Sequence, residues 1–212
     1  MLNLSQCMRR CSLMFVAITL CSLSTYLHAS VILSENFDEL TPELSATLVG
    51  SFSTIGGTNV DIVGNVNGNL FSTLCAAPES GNCVDMNGSF GNPQGQLQSN
   101  MLFSTGSYLL SFDVIGSQRG PTASVTVTLG DYNQTFNLAS SDVTTGIVVN
   151  APVTVTAPSP LLFASNTSGN IGLLLDNVVV SQTSPSVPEP ATLSIFSLGL
   201  AGMSLVKRRR LA

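Results

Sequence analysis

Val125-Thr126-Val127-Thr128-Leu129 alternates apolar and hydroxyl side chains with a period of two. That is the pattern of a β-strand with one buried and one wet face. Upstream, Tyr108, Leu110, Phe112 and Val114 fall on one face of a similar stretch, and downstream Val153 and Val155 alternate with Thr154 and Thr156. Short apolar runs lie at Ala46–Phe52, Val60–Val63, Leu97–Phe103, Gln134–Leu138 and Leu161–Ala164, punctuated by Gly, Pro, Asn and Ser. No helical period in this region outlasts about ten residues. Many short strands of this kind predict an all-β chain folded as a two-sheet antiparallel β-sandwich. No internal repeat of roughly 20–50 residues is visible, which argues against a solenoid or propeller.

Charge divides the chain into three unlike parts. The 212 residues carry a net charge of -5. Residues 1–29 contribute +2 through Arg9 and Arg10, and residues 188–212 contribute +3 through Lys207, Arg208, Arg209 and Arg210 against Glu189. Between them, eleven acidic residues face the single Arg119, a net of -10. The one histidine, His28, and the one lysine, Lys207, both lie in the end segments. The central region therefore lacks His-based acid–base chemistry, Schiff-base lysines, Ser-His-Asp triads and His metal sites. Its negative charge also opposes nucleic-acid binding.

The ends read as addresses. Residues 1–29 have the form of a secretory signal peptide: Arg9 and Arg10 as the basic start, an apolar stretch from Leu13 to Leu23, and a more polar Ser24–Ala29 before the cut. Cleavage is expected after Ala29, with Ser30 as a near alternative, by signal peptidase during Sec export. Residues 30–182 form the expected ectodomain, and 183–187 a Pro/Ser-rich linker. Residues 191–206 carry no charge, and as a helix they would span ~24 Å, close to a bilayer core. The basic tail 207–210 holds that end in the cytoplasm, so the ectodomain faces outward.

The order Val187-Pro188-Glu189-Pro190, short apolar helix, Lys207-Arg208-Arg209-Arg210 resembles the PEP-CTERM sorting signal of exopolysaccharide-producing Gram-negative bacteria. The resemblance covers residues 188–212. It implies recognition by an exosortase, transient residence in the inner membrane and release to the cell surface or extracellular matrix. The two prolines hold the backbone extended and outside any helix, open to a processing enzyme. A plain C-terminal membrane anchor is the simpler alternative.

With Cys7, Cys11 and Cys21 in the signal peptide, only Cys75 and Cys83 remain in the exported region. An even count in an oxidising compartment predicts one disulfide, expected to staple a turn-rich surface loop. A two-cysteine metal site lacks the further ligands it needs.

Three stretches, Ile32–Asp38, Gly106–Asp113 and Ile171–Val178, resemble the galactose-binding-like jelly roll. In that fold the first and last strands lie close together, and some members hold a structural Ca²⁺ there. The resemblance makes Glu35, Asp38 and Asp176 the candidate Ca²⁺ ligands, as oxygen donors suited to that ion. Asp176 is flanked by apolar residues on both strand faces: Leu174, Val178 and Val180 on its own, Leu173, Leu175 and Val179 on the other. It is therefore expected in a central strand, where a carboxylate needs either an ion or backbone N–H donors.

Tyr132, in the turn Gly130–Gln134, is the candidate glycan contact. A glycosidase-like enzyme would need paired carboxylates; Asp85, Asp113 and Asp131 are available, but no spacing singles out a pair. The expectation is a non-catalytic, exported surface or biofilm-matrix protein associated with exopolysaccharide. A polysaccharide-active enzyme on the same scaffold is the rival.

Overall fold

The computed structural model describes residues 29–64, 74–75, 81–142 and 150–183. The expected signal peptide, Val187, the sorting signal and the helix and basic tail expected there lie outside the described residues. The described residues form one compact unit. Among the described residues no helix is long and apolar enough to cross a membrane.

Thirteen strands are present there: β1 Ala29–Glu35, β2 Glu43–Ala46, β3 Leu48–Val49, β4 Phe52–Thr54, β5 Val60–Gly64, β6 Asn82–Asp85, β7 Gln96–Ser99, β8 Gly106–Ile115, β9 Ala123–Leu129, β10 Tyr132–Leu138, β11 Ala151–Val155, β12 Leu162–Ser165 and β13 Leu174–Thr183. They pair into two antiparallel sheets. One runs β11-β8-β13-β6-β5-β2, with β1 also paired to β13, and the other runs β10-β9-β12-β7-β4-β3. The first and last strands are thus neighbours, Glu35 opposite Val178. The fold is an all-β sandwich.

Period-two patterning does the work expected of it. Tyr108, Leu110, Phe112 and Val114 of β8 are buried, as are Val125, Val127 and Leu129 of β9 and Val153 and Val155 of β11. The core is threaded by aromatic rings that lean edge-on or tilted against one another. Phe163 on β12 meets Phe52 at 6.0 Å and Phe112, from the opposite sheet, at 5.3 Å. Phe112 continues to Phe136, and Phe52 to Phe37. Burying one such ring contributes about 1.5–3 kcal/mol over leaving it exposed.

Two expected segments are cut differently. The run Ala46–Phe52 is not one strand. Its chain leaves β2 in the seven-stranded sheet, makes β3 in the other, and turns at Gly50 (φ 58°) into β4. The second change lies in β13. Before Asp176 the core-facing residues are Leu173 and Leu175; after it they are Val178 and Val180. Asn177, at φ 50°, forms a bulge that adds one residue against β8 and reverses the alternation. Asp176 therefore shares no face with Val178 and Val180, contrary to the simple reading of the strand.

Candidate functional site

The disulfide Cys75–Cys83 is formed, with Cα atoms 5.7 Å apart. It does more than staple a surface loop. Cys83 lies in β6 and both cysteines are buried, packed with Val63, Leu74 and Leu174 in a second apolar cluster. Val63 and Cys83 alternate with Ile62 and Val84, which face the main core, so this cluster covers the outside of the seven-stranded sheet.

The proposed Ca²⁺ ligands are not brought together. Among the described residues no group of three or more His, Cys, Asp or Glu side chains is placed to hold a metal. Glu35 instead accepts the Phe37 N–H at 3.2 Å and the Ser51 N–H at 2.8 Å, tying the end of β1 to the turn before β4. Asp38 accepts the Asn82 N–H at 2.9 Å and the Asn36 amide at 2.8 Å. Asp176 accepts the Asn177 N–H at 2.7 Å. Each of the three carboxylates accepts at least one backbone N–H, and Asp38 also takes the Asn36 side-chain amide. Asp176 does lie in a central strand, half-buried rather than enclosed, directly opposite Asp113 in register. The Asn177 amide bridges to Asp113 at 2.9 Å.

Tyr132 opens β10 and packs partly against the core, with its hydroxyl donating to Gln134 at 3.1 Å. Burial raises its phenol above the ordinary value.

Sequence reasoning passed over Asp61 and did not foresee that Asp85 is buried. Asp61 and Asp85 face each other across β5 and β6, and neither is exposed. Asp61 accepts from the Ser45 N–H, the Ser89 N–H and the Ser89 hydroxyl, at 2.7, 2.9 and 2.6 Å. Asp85 accepts the Asn87 and Gly172 N–H groups with one oxygen, at 3.0 and 2.8 Å. Its other oxygen receives the Arg119 guanidinium at 2.7 Å. Burial pushes the Asp85 carboxyl up to about 6, against the pull of the Asn87 N–H, Arg119 and the Gly172 N–H. Asn87 extends the network, its amide donating to the Thr167 and Gly169 carbonyls. The signal was in the sequence: each acid interrupts a short apolar run, as Asp176 does. Asp131, the remaining acid weighed for catalysis, accepts the Thr154 N–H at 2.7 Å. These carboxylates hold loops to sheets.

Residues 186–210 match the family model of the PEP-CTERM protein-sorting motif. No curated protein matches the chain. Among solved structures, two cleaved adhesin domains of Lys-gingipain from Porphyromonas gingivalis are similar to it. One, at 14% identity and TM-score 0.48, covers 72% of this chain and 98% of that one; the other, at 18% and 0.43, covers 73% and 100%. The second N-terminal cellulose-binding domain of β-1,4-glucanase C from Cellulomonas fimi is similar at 18% identity and TM-score 0.34, covering 76% and 100%.

Proposed function

We propose that this chain, which carries the PEP-CTERM protein-sorting motif behind a β-sandwich, is a non-catalytic protein of the cell surface or extracellular matrix that associates with exopolysaccharide. The observation that carries the reading is the motif at residues 186–210, because a sorting signal names a route rather than a reaction. An exosortase is the processing partner, and the inner membrane a stage on the way. Signal peptidase would act first, and a cut after Ala29 trims one residue from β1. The non-catalytic half is supported by chemistry: the exported region has no histidine or lysine, and Asp85 and Asp131 are engaged in holding the fold.

Intact-mass measurement on protein from the native host tests the route. The expected form begins near Ser30 and lacks Lys207–Arg210. A surface form that keeps Arg208–Arg210 refutes exosortase processing and leaves a plain anchor. New reducing ends on incubation with the host's polysaccharide would refute the non-catalytic role.

A further inference from the structure

Charge is divided between the two sheets. Six of the seven strands of one sheet each carry one acid: Glu35, Glu43, Asp61, Asp85, Asp113 and Asp176. The six strands of the other contain no Asp, Glu, Lys, Arg or His. The linear sequence hides this, because strands of the two sheets are interleaved along the chain.

The outward side chains of the neutral sheet form registered rows. One crosses all six strands, Asn133–Thr128–Leu162–Gln98–Ser53–Leu48. The inward partners Val127, Phe163 and Leu97 lie in the core, which fixes these residues on the outside. A second row, Thr135–Thr126–Ala164–Gln96, runs beside it. At ~4.8 Å per strand the longer row extends roughly 24 Å. Thr126 and Thr135 share a 2.8 Å hydrogen bond, and the Asn166 amide reaches Thr126 at 2.8 Å, so part of the face is ordered before any ligand arrives.

We infer that this face is where an uncharged polysaccharide chain lies, an inference that rests on the matrix-association reading above. Its hydroxyls and amides each donate and accept, as sugar hydroxyls do. Leu162 and Ala164 place an apolar strip at the centre for the C–H side of a pyranose ring. A region of net charge -10 repels acidic glycans, and here a neutral one meets no fixed charge. A protein partner would call for an apolar, aromatic-rich interface centre, and these rows contain no aromatic residue. Individual contacts are weak, so retention depends on many copies acting together.

The test is native electrophoresis of the Ser30–Thr183 segment, which holds the whole described core, displayed on a multivalent scaffold. Gels contain hydroxyethylcellulose, laminarin or galactomannan, with alginate as the acidic comparison. The expected result is retardation by at least one neutral polymer and none by alginate. Thr128→Glu with Gln98→Glu should weaken it about tenfold or more, equivalent to roughly 1.4 kcal/mol. Ser34→Glu, exposed on the other sheet, should not. Circular dichroism checks that each variant is folded. Retardation that survives the double substitution overturns this face while sparing the matrix reading. Retardation by alginate alone overturns the neutral ligand. Absence of retardation in every gel overturns the inference; failure of the segment to bind the host's own matrix as well removes the broader reading. A double substitution that dissolves a dimer without altering retardation gives the face to a second copy.

Discussion

Arg119→Met keeps an apolar stem and removes the guanidinium that faces Asp85 at 2.7 Å. Asp85 has no exposed side-chain surface, while Arg119 keeps 25% of its own. Truncating one partner of a fully buried pair costs about 3–5 kcal/mol. Solvent at Arg119 and the two N–H donors that remain on Asp85 reduce this to about 2–3 kcal/mol at pH 8. The loss should depend on pH, with a sign set by the carboxyl. In the folded protein Asp85 is raised from 3.8 to about 6, so the native state holds the proton more tightly than the unfolded chain. Its contribution is fully present below 3.8 and is lost as pH rises through about 6, a swing of about 3 kcal/mol. Without Arg119 the carboxyl rises further and is neutral at pH 5, where the substitution should cost only about 1 kcal/mol. Urea unfolding of the Ser30–Thr183 segment at pH 5 and pH 8, followed by circular dichroism, measures both losses. Asp85→Asn with Arg119→Met removes the buried ion and should return most of the stability at pH 8. Equal losses at the two pH values, or no recovery in the double variant, would refute the account.

Three further outcomes follow from the same packing. Cys75→Ala with Cys83→Ala should cost about 2–3 kcal/mol of loop entropy while keeping a β-rich circular dichroism spectrum; wholesale unfolding would mean that the outer cluster nucleates the sheet. Phe163→Ala, at the crossing of the two sheets' aromatic rings, should cost about 3–5 kcal/mol in chemical denaturation, and less than 2 kcal/mol would indicate a core that collapses around the gap. Gly50→Ala forces a left-handed turn onto a side chain that would meet the Glu35 carboxylate. A loss of about 2 kcal/mol, seen as a melting point lower by about 4–8 °C, is expected.

Local patterning determined the strand content, the sorting motif and the disulfide. Val125–Leu129 and Tyr108–Val114 needed only a period of two to declare their buried faces, since alternation is a property of the strand itself. Cys75 and Cys83 needed only an even count outside the expected signal peptide. The sorting motif is legible because it is carried by contiguous residues. Tertiary structure decided what contiguity cannot express. A single left-handed residue, Asn177, reversed the phase of β13, and Asp176 faced Asp113 rather than joining Glu35 and Asp38. Asp61 and Asp85 became neighbours through strand pairing, and Arg119 reached Asp85 across 34 positions of chain. The division of the strands into an acidic and a neutral sheet likewise exists only after pairing, because which strands lie side by side is set by nonlocal burial and hydrogen bonding.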